Sequence, residues 1–379
     1  MTADEVSTLL TLLKRSHALD PSSPEFLSIE QAAAHLEKSA KKKRRLARKH
    51  ARAEREVLRD CYVCRAPRTE AHDSYSWMCV ACGNDSSTFR ALPMDLRGRR
   101  ALVTGGRVKI GRATALRLLR AGAEVHVTTR FPRDAARSFA TEPDFASFSA
   151  RLHVIGLDFR ALGQLLSAID TWKVGPPFDI VVNNAAQSVW QPRAMFEALY
   201  AGEAPRAEHA LAPFFPTDLA RLDLERVDSW PQTLGQLSAV DVVEVQVVNA
   251  IAPALIVNGL RENLKRSAFK DRYVINVSAL EGQFGRGVKA PQHPHTNIAK
   301  AGLNMLTRTS AEDLSRDGIF MVSVDPGWMS REGAFVPPDA DVPLDADACA
   351  ARVLHPIAAG LAGAPVHGVL LKDFKEVPW

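Results

Sequence analysis

The sequence predicts an α/β fold with a doubly wound parallel sheet, and three observations support this prediction. Residues 100–130 read as strand, glycine-bearing turn, helix and second strand. With 379 residues, 46% of them hydrophobic, the chain can bury an α/β core of roughly 280 residues plus small N-terminal appendages. Further short apolar runs with helical stretches between most of them bring the sheet to about seven strands: Leu152–Gly156, Ile180–Val182, Tyr273–Val277, Phe320–Val324 and Val369–Leu371.

The first predicted strand and its turn indicate a nucleotide site. Residues 101–103 are apolar without polar alternation, which is typical of a strand buried on both faces of a parallel sheet. Gly105 gives the following turn its backbone freedom, and Gly111 lets the next helix pack closely on the strand. That helix is predicted from about Ile110 to Ala121, and its N-terminal amides face the turn. Free amides at a helix N-terminus favour a pyrophosphate there.

The end of the second predicted strand bears on the choice of dinucleotide. Val125–Thr128 is followed by Thr129 and Arg130. An NAD site usually has an acidic residue here to hold the ribose hydroxyls, whereas a guanidinium suits a 2′-phosphate. The sequence therefore favours NADP over NAD.

An N-terminal module precedes this region and predicts a structural metal. Two Cys-x-x-Cys pairs are separated by fourteen residues, a spacing that can place four thiolates tetrahedrally around one zinc: Cys61, Cys64, Cys79 and Cys82. Paired knuckles favour zinc over a redox dithiol, and the predicted zinc-ribbon-like module covers residues 61–92. The fifth cysteine, Cys349, is isolated in a helical stretch and is predicted to be a core residue. Reduced thiolates favour a cytoplasmic protein.

The basic charge of the chain is confined to its N-terminal extension, residues 1–60. Residues 38–59 carry a local charge of +9, so the rest of the chain carries −4 out of a total of +5. This segment is predicted to be an exposed basic helix. It is either a solvated linker or a contact for nucleic acid, for an acidic protein or for nuclear import. The first 36 residues offer two short amphipathic stretches and no apolar run of membrane-spanning length, so a protein without membrane association is expected.

Several separated motifs in residues 95–379 resemble the short-chain dehydrogenase/reductase family. The matching stretches are Thr104-Gly105 with Gly111, Leu157-Asp158, Asn183-Asn184-Ala185-Ala186, Asn249, and Asp325-Pro326-Gly327-Trp328. The resemblance implies a Rossmann-like domain, a homo-oligomer and a bound dinucleotide. This resemblance, together with the charged residues of the turn and of the end of the second strand, predicts the following cofactor contacts: Thr104, Gly105, Arg107, Lys109, Ile110, Gly111, Arg130, Asp158, Asn184, Ala185, Lys300, Pro326 and Gly327.

The glycine turn departs from the family pattern at Lys109, which replaces the middle glycine. Lys109 is predicted to place a positive charge beside the pyrophosphate or, with Arg107, beside the 2′-phosphate. The alternative is a solvated surface lysine in a wider turn.

The predicted active helix departs from the family as well. The family carries a tyrosine four residues before its lysine, so that both side chains face one spot. Here Lys300 is preceded at that distance by Thr296, whose hydroxyl is far less acidic than a tyrosine's. His295 is the first candidate to replace the tyrosine as the acid, with His293 and Glu281 behind it. The predicted catalytic set is Asn249, Ser278, His295, Thr296 and Lys300.

An insertion at about residues 187–243 is longer than the family needs between Asn184 and Asn249. It holds six aromatic residues and is predicted to form a lid over the cleft or a subunit contact: Trp190, Phe196, Tyr200, Phe214, Phe215 and Trp230.

Two functions therefore stand side by side. The first is an NADP-dependent oxidoreductase acting on a carbonyl or alcohol through an altered proton relay. The second is a catalytically altered dinucleotide-binding protein that contacts a macromolecule through its zinc module and basic helix.

Overall fold

The structure is a computed structural model, and it describes residues 60–187, 193–203, 228–285, 289–329 and 342–379, together with Ser23 and Phe26. The chain divides into two compact units, Met1–Val80 and Ala81–Trp379. The predicted basic helix at 38–59 lies outside the described residues. So do Trp190, Phe214 and Phe215 of the insertion.

The second unit is built on one sheet of eight strands, in the order β3-β2-β1-β4-β5-β6-β7-β8. Neighbouring strands are parallel except for β7 and β8, which are antiparallel. The doubly wound parallel sheet is confirmed. The strands are β1 Arg100–Thr104, β2 Glu124–Thr129, β3 Leu152–Gly156, β4 Ile180–Asn183, β5 Arg272–Val277, β6 Ile319–Asp325, β7 Leu370–Lys372 and β8 Lys375–Val377.

The eighth strand was not among the predicted strands. It returns antiparallel through a two-residue turn at Asp373 and Phe374, both with positive φ, of 47° and 68°. Neither residue is glycine, so the sequence lacks the usual hairpin signal. The strand itself reads Lys375-Glu376-Val377, too short and too polar to register as an apolar run.

Helices cover both faces of the sheet. On β1, Ala101 and Val103 belong to one buried cluster and Leu102 to the other, which is why this run shows no polar alternation. The α-helices are α1 Val80–Arg90, α2 Lys109–Arg120, α3 Pro132–Ala140, α4 Phe145–Phe148, α5 Leu162–Val174, α6 Arg193–Glu203, α7 Ala239–Gln246, α8 Ala252–Lys265, α9 Pro294–Ser315 and α10 Ala346–Leu361.

Helices α7 and α8 are joined by a π-helical turn, Val247–Ile251, into one continuous stretch. This stretch, Ala239–Lys265, is long and apolar enough to cross a membrane by length and composition, and its most apolar 18-residue window has a mean hydropathy of 1.8. Half of its most apolar window is buried inside the protein, where Ile256 and Leu260 pack in the core beneath the sheet. A core helix of a globular domain passes the same test, so this stretch is accounted for by packing.

The strand order places a cleft at one edge of the sheet. The chain runs outward from β1 to β3 on one side and from β4 to β7 on the other. The order therefore reverses between β1 and β4, and ligands bind such sheets beyond the carboxyl ends of the strands at this point.

Candidate cofactor and active site

A cavity of about 350 Å³ lies at the carboxyl ends of β1, β2 and β4. Nine of the predicted cofactor residues line it: Gly105, Arg107, Lys109, Ile110, Gly111, Arg130, Asp158, Asn184 and Ala185. Thr104, Lys300, Pro326 and Gly327 do not line this cavity.

Thr104 ties the glycine turn to the end of β4. Its hydroxyl accepts hydrogen bonds from the backbone N–H groups of Asn184 and Ala185, both at 3.0 Å, and donates to the carbonyl of Val182 at 3.3 Å. The Asn184 amide donates back to the carbonyls of Thr104 at 3.0 Å and Gly105 at 3.1 Å. Two segments about eighty residues apart in the sequence therefore hold each other in one conformation.

The glycines of the turn are required by close backbone approach. A Cβ at Gly111 would lie 2.3 Å from the Gly105 carbonyl oxygen and 2.4 Å from Asn184 Nδ2. Gly105 has a φ of +67°, and its Cβ would lie 2.7 Å from Ala185 Cα. The glycines therefore let the turn pack directly on the end of β4, where a side chain would overlap the protein's own atoms. Such a glycine cradle fits a pyrophosphate held by backbone amides.

Lys109 occupies the place of the family's middle glycine with a left-handed backbone, φ 52°. Burial and the neighbouring Arg107 guanidinium lower the pKa of its ammonium below the usual value. Arg107 is itself paired with Asp134 at 2.9 Å, and Arg130 lines the cavity nearby. Three cationic side chains therefore border the cavity.

Asp158 lies at the cavity wall but is already engaged. It is 1% exposed, and it accepts hydrogen bonds from the Arg160 backbone at 3.0 Å and the Arg160 guanidinium at 2.6 Å. Burial raises the pKa of this carboxyl, but the Arg160 hydrogen bonds and charge more than compensate, so the pKa falls below its ordinary value. The predicted contact to adenine stays a prediction. Arg160 escaped the sequence analysis because one arginine after a strand carries no distinctive signal.

On helix α9, Lys300 and Thr296 share one face, a helical turn apart. Lys300 Nζ donates to the Val277 carbonyl at 2.6 Å. Burial lowers the pKa of Lys300 to about 8, although the charges of Glu281 and Asp325 act in the opposite direction. Thr296 is 2% exposed, and its hydroxyl has no hydrogen-bond partner among the residues that the structure describes.

Ser278 follows β5 and is buried beside the same helix. Its hydroxyl donates to Asn304 Oδ1 at 2.6 Å, and Asn304 Nδ2 donates to the Gly282 carbonyl at 3.0 Å. Asn304 lies one turn beyond Lys300 on the same face and was not predicted. Helical spacing predicts that Asn304 lies on the face of Lys300, but it does not predict the hydrogen bond from Ser278, which lies on another element.

His295 faces away from Lys300 and towards the insertion. Its Nε2 lies 3.1 Å from the Ser229 hydroxyl, and its carbonyl accepts from Gln246 at 2.9 Å. The side chain is fully buried, and burial lowers its pKa below the usual histidine value. His293 likewise stacks on Trp230, with ring centroids 4.0 Å apart. The structure thus brings Thr296 to the face of Lys300 and packs both histidines against the insertion, and the role of His295 as acid stays a prediction.

Asn249 lies in the π-helical turn between α7 and α8. Its Oδ1 accepts from the Gln187 backbone at 2.7 Å, and its Nδ2 donates to the Gln187 carbonyl at 3.3 Å. The side chain therefore fixes the loop after β4, and its part in a proton relay stays a prediction.

Pro326 and Gly327 follow the carboxyl end of β6. Gly327 has a φ of +87°, and its N–H donates to Asp325 Oδ1 at 2.9 Å. The other Asp325 oxygen pairs with Lys372 of β7. This turn is therefore held by the strands beneath it.

None of the four tyrosines of the chain stands four residues before Lys300: they are Tyr62, Tyr75, Tyr200 and Tyr273. Tyr273 is the second residue of β5, at the amino-terminal edge of the sheet, and its hydroxyl donates to Asp271 at 2.6 Å. Tyr200 packs on Phe131, with centroids 5.2 Å apart. Tyr62 and Tyr75 belong to the first unit.

The four predicted metal ligands are brought together. The sulfur atoms of Cys61, Cys64, Cys79 and Cys82 lie within 4.8 Å of one another. The Cys79 N–H donates to Cys61 Sγ at 3.3 Å, the arrangement of a thiolate-binding knuckle. Burial raises the pKa of the Cys61 thiol, but backbone hydrogen bonds from the knuckles lower it to about 6. This donor set fits a tetrahedral zinc. Cys349 is fully buried, as predicted, and burial raises its pKa to about 12.

Comparisons with known proteins relate the chain to a known family. The model of the short chain dehydrogenase family matches residues 99–202. An uncharacterized protein, R665, of Acanthamoeba polyphaga mimivirus is 34% identical over an alignment of 343 positions, which covers 79% of this chain and 71% of that protein. L-xylulose reductase of Mesocricetus auratus is 37% identical over 101 residues, 27% of this chain and 37% of that enzyme.

Among solved structures, the chain is similar to the NADPH-bound carbonyl reductase from chicken fatty liver. The TM-score is 0.55 at 21% identity, over 77% of this chain and 98% of that one. At this identity the likeness speaks for the fold alone.

Proposed function

We propose that this chain, which belongs to the short-chain dehydrogenase family, is an NADP(H)-dependent oxidoreductase that interconverts a carbonyl and an alcohol through an altered proton relay. L-xylulose reductase, to which it is similar, is an oxidoreductase. The observation that carries the proposal is the cavity in which Arg107, Lys109 and Arg130 border a glycine cradle. Three cations suit a dinucleotide with an additional phosphate.

The residues that would hold the dinucleotide are those of the turn and of the end of β4. The backbone amides at the start of α2 would face the pyrophosphate, and Arg130 with Arg107 would face the 2′-phosphate. When bound, the nicotinamide supplies or accepts the hydride.

The chain's own residues would move the proton. Lys300, with its pKa lowered to about 8, is protonated at neutral pH yet releases its proton far more readily than an exposed lysine. One N–H is held by the Val277 carbonyl, which orients the ammonium on the face that carries Thr296. In the reducing direction the Thr296 hydroxyl gives its proton to the substrate oxygen and takes one from Lys300 Nζ. Thr296 thus positions and relays, and Lys300 is the acid.

The alternative, a catalytically altered dinucleotide-binding protein with a regulatory or scaffold role, is favoured by one observation. The residue four before Lys300 is threonine, and a threonine hydroxyl is a poor acid by itself. On this alternative the zinc module and the basic segment would contact a macromolecule.

One experiment separates the two functions. Purified protein is titrated with NADPH and NADH and assayed against a panel of aldehydes and ketones, alongside Arg130→Ala, Thr296→Val and Lys300→Met. We expect tighter binding of NADPH, a preference reduced in Arg130→Ala, and turnover lowered by at least about a hundredfold in the other two variants. Equal or absent binding of the two dinucleotides would refute the NADP assignment. Tight NADPH binding without turnover of any carbonyl would favour the alternative.

His295 is tested in the same assay. We expect His295→Gln to keep most of the turnover, because the side chain is packed against Ser229. Abolished turnover in a well-folded His295→Gln protein would instead restore His295 as the acid.

We also propose that the four clustered cysteines hold one structural zinc. Elemental analysis of purified protein should give close to one zinc per chain, and Cys64→Ser should lower that ratio. A chain that contains no metal when purified without chelators would contradict this proposal.

A further inference from the structure

The described part of the insertion lies against the cofactor cavity. Helix α6 is fastened to the N-terminus of α3 by Glu203, whose two carboxylate oxygens accept from the backbone N–H groups of Arg133 at 3.0 Å and Asp134 at 2.8 Å. A carboxylate at a helix N-terminus satisfies free amides and interacts favourably with the helix dipole. The insertion is therefore tied to the element that directly follows β2.

The same helix contributes an aromatic wall. Phe196 is 2% exposed, lines the cavity and belongs to a cluster with Phe131, Leu199 and Tyr200. Phe131 follows Arg130 directly, and its N–H donates to the Thr129 hydroxyl at 3.1 Å, which fixes the chain as it leaves β2. Residues from the insertion and from the end of β2 thus form one packed group.

Arg130 lies against both rings of this group. Its guanidinium carbon is 5.4 Å from the centroid of Phe131 and 5.6 Å from that of Phe196, both within cation–π range. Arg107 lies 5.3 Å from the Phe131 centroid. One aromatic pair therefore positions the two guanidinium groups that border the phosphate side of the cavity.

We propose that helix α6 of the insertion is part of the dinucleotide site, and that Phe196 is a specificity-determining residue that holds Arg130 in place for the 2′-phosphate. The inference rests on the proposed NADP(H) function. A guanidinium packed against two neighbouring rings, whose centroids are 6.5 Å apart, has less rotamer freedom to lose when it binds a phosphate dianion, so affinity rises for the phosphorylated dinucleotide. NADH has no 2′-phosphate, and its affinity depends less on the position of Arg130.

The test compares NADPH and NADH binding to wild type and to three variants by fluorescence titration. Phe196→Ala removes the ring, and Phe196→Leu keeps the apolar volume without a π face. If Phe196→Ala fails to fold, the result for Phe196→Leu tests the proposal. Ala198→Gln is the matched control, an exposed position on the same helix. We expect both Phe196 variants to bind NADPH about tenfold more weakly and NADH less than threefold more weakly. The control should match wild type.

Failure of the inference and failure of the proposed function give different results. If wild type prefers NADPH and both Phe196 variants keep that preference, the inference is overturned and the function stands. Equal losses for NADPH and NADH would also overturn it, because Phe196 would then be a general wall of the cavity. If wild type binds neither dinucleotide, the proposed function itself has failed.

Discussion

Lys300 should destabilise the folded protein at neutral pH, and Lys300→Met should remove that cost. Burial lowers the pKa of this lysine from 10.5 to about 8. The folded chain therefore binds this proton less tightly than the unfolded chain, and a charged Lys300 opposes folding wherever the unfolded lysine is protonated.

The magnitude follows from the shift. Lowering the pKa from 10.5 to about 8 costs the folded state about 3 kcal/mol at pH 7, since one pKa unit is worth about 1.4 kcal/mol. The penalty falls to about 2 kcal/mol at pH 9 and nearly vanishes at pH 10.5, where the unfolded lysine also loses its proton. Lys300→Met also removes the donor to the Val277 carbonyl, which offsets about 1–3 kcal/mol of the gain at every pH. The net gain at pH 7 is therefore about 0–2 kcal/mol, and its decrease with pH is fixed by the lysine alone.

The assay is urea unfolding of both proteins without dinucleotide at pH 7, 8 and 9. We expect the unfolding free energy of wild type to rise relative to that of Lys300→Met by about 1 kcal/mol over this range. Lys265→Met, at a surface lysine paired with Glu262 at 2.9 Å, controls for the loss of one positive charge. The buried-cation reasoning would be refuted if the unfolding free energy of wild type, relative to that of Lys300→Met, stayed constant or fell as the pH rises.

Four further predictions concern the turn, the relay and the metal. Gly111→Ala should abolish NADPH binding and lower the unfolding free energy by several kcal/mol, because the new Cβ would overlap backbone atoms. The control Gly163→Ala should raise the unfolding free energy by about 0.5–1 kcal/mol, because no heavy atom lies within 4 Å of its Cβ. Equal changes of the unfolding free energy in the two variants would contradict the close packing of the glycine turn. Lys109→Gly should relieve a left-handed backbone worth up to about 1 kcal/mol yet weaken NADPH binding, and unchanged NADPH affinity in a titration would make Lys109 a bystander. Carbonyl reduction should decline as pH rises through about 8, where Lys300 loses its proton, and a pH–rate profile flat to pH 10 would exclude Lys300 as the acid. Zinc chelation should lower the melting temperature of wild type and leave Cys64→Ser unaffected, and equal melting shifts in both proteins would argue against the cysteine site.

The sheet was predictable because its signals are local. Each parallel strand from β1 to β7 is a short apolar run that the sequence shows directly, and the runs differ from the observed strands by only a residue or two. The cofactor turn was equally readable, because glycines and a strand–helix junction occur within a dozen residues. What failed was β8, where a turn of two non-glycine residues with positive φ gives no local signal.

The active helix shows the limit of such reading. The register of Thr296 and Lys300 followed from helical spacing, and the structure places them on one face. The environment of His295 did not follow, because its partner Ser229 lies in the insertion, sixty-six residues away. Whether a histidine near a helix start titrates or packs depends on contacts from a distant segment. The same is true of Phe196, whose aromatic character was noted but whose contact with Arg130 required the fold.

Two lysines at this site bear on whether the protein is an active enzyme. Lys109 adopts a left-handed backbone at a position where glycine is strain-free, and Lys300 is a buried cation whose one hydrogen bond among the described residues is to the Val277 carbonyl. Each costs folding free energy that a glycine or an apolar residue would not. Phosphate binding accounts for the first cost in both proposed functions, because either protein binds a dinucleotide. The second is different: a protein that only bound NADP could hold the ribose with a neutral donor, whereas proton transfer requires a group that ionises near neutral pH. Lys300 therefore favours the enzyme, and the pH dependence of its stability and of turnover should report the same pKa.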